Sequence, residues 1–196
     1  SWTWQERRSC VSFLHENGLN TSIYAPKSDA SLRRDWDQPL SSSDYENLLA
    51  LAKNCRRIRI QWGVGLSPLD ANIGCGPRTL ARLKPKLAAI AQLRPDILCI
   101  LFDDMRGDVP DLARLQARMV ADIAAHSNAS RIIVCPTYYS DDPVLERVFG
   151  AMPERYWQHL GSVLDSSIDF FWTGEKVCSG RFSRDTLAAI SAAMQR

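Results

Sequence analysis

The strongest constraint on this chain is an alternation. Short runs rich in β-branched and aromatic residues recur, each followed by a polar loop and then a stretch of helical periodicity. The runs are NTSIYAPK (20–27), RIRIQWGVGLS (57–67), DILCILFDD (96–104), RIIVCPTYY (131–139) and SIDFFWTG (167–174). Their starts lie about 35 to 40 residues apart. Between them, apolar residues at three- and four-residue spacing mark helices, as in Leu48, Leu49, Leu51 and Ala52, or Leu112, Leu115, Met119, Val120 and Ile123. Ser43 with Glu46 reads as a capping box, Ser183 with Thr186 and Leu187 opens the last helix, and the chain begins directly in a helix over about 3–17. Repeated strand-helix units whose strands are near-continuous apolar runs predict a parallel sheet covered by helices, an α/β fold.

Two architectures fit that pattern, a doubly wound open sheet and a closed (β/α)8 TIM barrel. No G-x-G-x-x-G or G-x-x-x-x-G-K-[ST] follows any strand, so the phosphate cradle of a nucleotide fold is missing. Polar residues instead gather at the C-terminal ends of the strands: Tyr24 and Lys27, Ser67, Asp103 and Asp104, Thr137 and Tyr139, Trp172 and Thr173. A barrel keeps its active site there. The expectation is therefore an incomplete barrel of about five strands and six helices, with residues 1–196 part of a single catalytic domain. A first strand is expected before Ser1 and about two more after Arg196.

Composition narrows the partners. The chain is 45% hydrophobic and 23% charged, ordinary for a globular domain, and its 24 basic and 22 acidic residues are spread evenly. No basic stripe points to nucleic acid or to an anionic membrane, and no apolar run approaches the roughly 20 residues that span a bilayer. Neither partner is expected. The six cysteines (Cys10, Cys55, Cys75, Cys99, Cys135, Cys178) show no C-x-x-C pairing, and the histidines His15, His126 and His159 have no second ligand at i+4. Reduced thiols, no metal and no cofactor are the reading. With no apolar leader in SWTWQERRSC, unpaired cysteines favour a soluble, cytoplasmic protein.

The chemistry concentrates at Asp103 and Asp104. An apolar strand ending in paired acids is uncommon, and two adjacent carboxylates in a poorly solvated cleft cannot both ionise cheaply. One can then hold a proton while the other stays anionic, which supplies a general acid and a charge-stabilising partner together. Two other readings stay open: a solvated pair capping the next helix, and a divalent-cation cluster with Asp108. The 24–36 loop adds Lys27, Arg33, Arg34, Asp35 and Trp36, where a lysine can donate to a sugar hydroxyl and an aromatic can pack on a pyranose face. A plain solvated basic loop fits that segment as well.

Taken in order, YAPK, R-R-D-W, LFDD, CPTxY and WTG resemble glycoside hydrolase family 84, the O-GlcNAcases and related β-N-acetylglucosaminidases, some of them called hyaluronidase-like. The resemblance runs from SWTWQERR to WTGEKVCSG and implies a TIM barrel and a retaining, substrate-assisted hydrolysis through an oxazoline intermediate, one of the exceptions to the enzyme-nucleophile scheme. By the same resemblance Asp103 orients the acetamido group, and Asp104 protonates the leaving oxygen and then serves as base. Lys27 contacts sugar hydroxyls, Tyr139 the oxazoline or glycosidic region, and Cys135 with Val177 the acetamido methyl. The implied substrate is terminal N-acetylglucosamine on a glycoprotein or other glycoconjugate.

The chain departs from the pattern in three places. Tyr138 stands where CPTEY is common, Ser67-Pro68-Leu69 where SPG is common, and no W-D-N or following N-D precedes Arg196. The first two read as loop changes that alter leaving-group preference. A non-catalytic relative that binds N-acetylglucosamine is the alternative that the third leaves open.

Overall fold

The computed structural model of the chain describes residues 2–69 and 76–195. Its elements run α1 (Trp4–Glu16), β1 (Thr21–Tyr24), a 3-10 turn (Ala30–Leu32), α2 (Ser42–Arg57), β2 (Gln61–Leu66), α3 (Pro77–Leu93), β3 (Ile97–Leu101) and α4 (Leu112–Ala124). There follow β4 (Arg131–Cys135), α5 (Val144–Phe149), α6 (Tyr156–Val163), β5 (Asp169–Phe170) and α7 (Arg184–Ala193). All five expected strands are present.

The strands form one parallel sheet in the order β1-β2-β3-β4-β5. That order separates the two architectures. A doubly wound sheet reverses direction at a switch point, whereas a barrel adds each strand beside the last. The two faces of the sheet agree with the barrel. One face carries Trp62, Val64, Leu66, Leu98, Ile100, Ile132 and Val134 into the main core with the helices, and the other holds a small cluster of strand residues, Ile97, Cys99 and Ile133, with Ile23 and Leu101 against it. The inner face of β2 is bare: a Cβ on Gly65 would lie 2.6 Å from the Ala25 Cβ and 2.9 Å from the Leu101 Cδ1. Glycine is what lets the flanking strands fill that space.

Local signals explain most boundaries. Thr3 caps α1 in a reciprocal box, accepting from the Glu6 N–H at 3.2 Å while Glu6 accepts from the Thr3 N–H at 2.6 Å. Ser183 caps α7 by accepting from the Thr186 N–H at 3.1 Å. The cap of α2 is Ser41, paired with Asp44, and not Ser43 with Glu46. Three consecutive serines offered the same pattern in two registers, and the helix takes the longer one.

Two further differences have backbone causes. The run from 57 is not strand at its start, because α2 continues through Arg57 and ends at Arg59 in a left-handed conformation (φ 59°), with the Ile60 N–H returning to the Cys55 carbonyl. The described residues hold seven α-helices where six were expected. Gly150 (φ 92°) and Pro153 interrupt the segment between β4 and β5 and divide it into α5 and α6. No described helix is long and apolar enough to cross a membrane.

Candidate active site

The backbone that leads into the acid pair is held on both sides. Phe102, fully buried just past β3, donates its N–H to the Cys135 carbonyl at 2.8 Å and accepts from the Thr137 hydroxyl at 3.0 Å. Thr137 accepts in turn from Gln116 Nε2 at 2.8 Å, and Gln116 Oε1 accepts from the Tyr156 hydroxyl. Each of these four residues is buried, so the network is satisfied internally and rigid. Met105 is buried on the other side. Asp103 and Asp104 lie between two anchors, at the end of the sheet where a barrel opens.

Two cations meet the pair. Lys27 Nζ donates to Asp103 Oδ2 at 2.7 Å and to Asp104 Oδ2, and Arg33 Nη2 pairs with the same Asp104 oxygen. Desolvation lowers the proton affinity of Lys27, but its hydrogen bonds to Asp103 and Asp104 outweigh that, and the ammonium is held above its ordinary range. Neighbouring cations therefore relieve the repulsion between the two acids, a factor that was not readable at the sequence level. Beside them opens a cleft of about 180 Å³ lined by Ala25, Lys27, Arg33, Gly65, Ser67 and Asp103, among others. Asp103 Oδ1 is shielded from solvent and has no hydrogen-bond partner.

The other expected residues fall into three groups. Cys135 and Tyr139 lie near the pair: burial first, then the charge of Asp103, pushes the thiol of Cys135 well up and raises the phenol of Tyr139. Cys135 is thus a neutral, buried thiol at the end of β4. Val177, half-buried beyond β5, donates its N–H to Asp142 Oδ2 at 3.3 Å and is tied to the loop after β4. Asp108 is held by Arg106, at 2.9 and 2.8 Å. Among the described residues no three His, Cys, Asp or Glu side chains group as metal ligands, and the cation cluster with Asp108 is not assembled.

Two expected roles are corrected. Trp36 is buried and donates its Nε1 to the Leu69 carbonyl at 3.0 Å, so it supports the loop from below and offers no open ring to a sugar. Tyr138 is buried too, its hydroxyl donating to the Gly150 carbonyl at 2.7 Å and its ring edge-on to Tyr156 at 5.3 Å. The change from acid to tyrosine there packs the core and does not face a leaving group. Arg33 is the residue that sequence reasoning left without a role; its partner lies 71 positions away.

The sequence profile of a family described as beta-N-acetylglucosaminidase matches residues 1–196. The chain belongs to that family. Among similar proteins are the protein O-GlcNAcases of Mus musculus and Rattus norvegicus, each 26% identical over all of this chain and 22% of its own length. The chain thus spans about a fifth of those relatives. A mutant O-GlcNAc hydrolase from Thermobaculum terrenum superposes with a TM-score of 0.86, 27% identical, over all of this chain and 43% of that one. For this member of the beta-N-acetylglucosaminidase family the sheet order and the fold of the solved relative agree with five successive strands of an α/β barrel; in this chain Asp103 and Asp104 follow the third of them.

Proposed function

We propose that this chain carries the catalytic centre of a retaining exo-β-N-acetylglucosaminidase that removes terminal O-linked N-acetylglucosamine from serine or threonine of glycoproteins, or from related glycoconjugates. Residues 1–196 are part of one catalytic barrel. The observation that carries the reading is the shielded, unpartnered Oδ1 of Asp103 beside Asp104. A buried carboxylate oxygen without a donor is costly, and an incoming amide N–H satisfies it.

In that reading the substrate's acetamido N–H donates to Asp103 Oδ1, which turns the carbonyl oxygen toward the anomeric carbon. The carbonyl oxygen attacks, the bond to the leaving oxygen breaks, and Asp104 gives its proton to that oxygen. The positive charge that develops on the oxazoline lies next to the Asp103 carboxylate. Asp104 then takes a proton from water as the water adds to the anomeric carbon and reopens the ring. Lys27, exposed on the cleft side, binds sugar hydroxyls; Tyr139 faces the glycosidic region; Cys135 and Val177 surround the acetamido methyl.

The test uses the complete natural chain with Asp104→Ala and a serine-linked N-acetylglucosaminyl peptide. Release of sugar falls by about 100-fold or more, while an aryl glycoside with a very good leaving group is cleaved much less impaired. Near-normal release from the peptide by the variant would overturn the assignment.

A further inference from the structure

We infer that Arg33 is the positioning residue of Asp104, fixing the carboxyl group against the leaving oxygen throughout the reaction while Lys27 moves off to the sugar. The inference rests on the acid role proposed for Asp104.

The two cations on Asp104 differ in how they are held. The Lys27 side chain is 60% exposed and that of Arg33 only 21%. Lys27 sits at the open edge of the cleft, where sugar hydroxyls compete for its three donors. Arg33 is anchored from below. Its Nη1 donates to the Lys27 carbonyl at 2.7 Å, and it follows directly on the 3-10 turn. That turn is fastened to the core in three ways: Leu32 is fully buried, the Leu32 carbonyl accepts from the Ser67 N–H at 2.8 Å, and the Ser31 carbonyl accepts from Lys86 Nζ at 2.5 Å. Lys86 is itself buried on α3. A planar guanidinium with one nitrogen on the chain beside Lys27 and another on Asp104 has little freedom to turn.

The consequence for chemistry is geometric. Both cations use only Oδ2 of Asp104, and no described residue donates to Oδ1. With Oδ2 pinned by Arg33, Oδ1 is the oxygen that carries the proton to the glycosidic oxygen. Proton donation needs the two oxygens within hydrogen-bond reach when the bond breaks, and a carboxyl group free to rotate loses that alignment. The loss matters in proportion to how badly the leaving group needs the proton.

The experiment compares kcat/KM, which reports the bond-breaking step, for the complete natural chain and its Arg33→Met, Arg33→Gln and Arg33→Lys variants. The substrates are aryl β-N-acetylglucosaminides graded from dinitrophenol to unsubstituted phenol as leaving group, with Asp104→Ala as reference. Arg33→Met and Arg33→Gln lose about 10- to 100-fold on the phenyl glycoside and under about threefold on the dinitrophenyl one, and Arg33→Lys recovers part of the loss. If the Arg33 variants lose equally on all leaving groups, or on none, while Asp104→Ala shows the graded loss, the positioning role is wrong and the acid role stands. If Asp104→Ala shows no graded loss, the proposed function itself fails. Should the two neutral variants not fold, Arg33→Lys decides: the same graded loss, smaller, supports the role, and a uniform or absent loss overturns it.

Discussion

The hydroxyl of Thr137 donates at 3.0 Å to the carbonyl of Phe102, the residue immediately before Asp103. The bond crosses from the loop after β4 to the end of β3 and lies entirely out of solvent. It couples the direction of the acid pair to a buried chain that ends at Tyr156 on α6.

Thr137→Val keeps the shape and removes the donor. It removes one of two donors to the Phe102 carbonyl, which keeps the Met105 N–H at 3.1 Å, and leaves the buried Gln116 Nε2 without its acceptor, at a cost of about 1 to 3 kcal/mol. Urea unfolding measures that cost, and kcat on an aryl N-acetylglucosaminide falls with little change in KM. Thr137→Ser, which keeps the hydroxyl, stays close to the parent in both; equal behaviour of the valine and serine variants would contradict the role of the bond.

Gly107 packs against the hydroxyl end of the Tyr138 side chain, and a Cβ there would overlap the phenol. Gly107→Ala therefore lowers stability by about 1 to 3 kcal/mol through overpacking. Combined with Tyr138→Ala, which opens the space, the alanine at 107 costs much less than it does alone, and a double-mutant cycle reads the coupling. Strict additivity of the two changes would mean that the contact is not what makes glycine necessary.

Tyr24 connects burial to pH. Its ring stacks on Trp4 at 5.4 Å and its hydroxyl donates to Asp29 at 2.9 Å. Desolvation first, then the charge of Asp29, raises the phenol above its ordinary value of 10.0. The folded form keeps a proton that the unfolded chain releases, so this contribution is complete below pH 10 and is lost as pH rises above it. Tyr24→Phe removes it. Between pH 8 and about pH 11 the parent protein loses more unfolding free energy than the variant, and identical slopes would rule the contribution out.

The thiols separate by environment. Burial pushes Cys55 up to about 11 and Cys99 up to about 12, and Cys135 higher still, whereas Cys178 is exposed. Iodoacetamide at pH 7.5 labels Cys178 within minutes and leaves Cys55, Cys99 and Cys135 unmodified until denaturant is added, as peptide mass spectrometry reports. Rapid native labelling of Cys135 would contradict its burial at the end of β4. Cys75 lies outside the described residues.

The sheet and the acid pair were legible because their signals are local. Strand periodicity, an interrupting polar loop and a strand that ends in Asp103 and Asp104 need no knowledge of distant chain. The unreadable parts are those decided across space. Arg33 reads as one arginine in a basic loop until β1 and β3 are set on either side of β2. Tyr138 and Tyr139 are adjacent and chemically alike, yet the first is fully buried with its hydroxyl on Gly150 while the second is only partly buried and feels the charge of Asp103, and only the path of the chain after Cys135 settles which. The last strand was predicted over 167–174, and its regular part is only Asp169–Phe170. Isolated bonds from Phe171 to Val134 and from Thr173 to Tyr139 carry the pairing further.

The bare inner face of β2 has a last consequence. Ala25, Gly65 and Leu101 line the cleft together with Lys27 and Asp103, and both Ala25 and Leu101 press close on Gly65. Any larger residue at 65 would have to displace both neighbours, and no smaller residue exists. The depth of the cleft is therefore already at its limit from this strand. Diversification of what such a scaffold admits has to proceed sideways, through Ala25, Leu101 and the loops of the rim, while position 65 stays fixed.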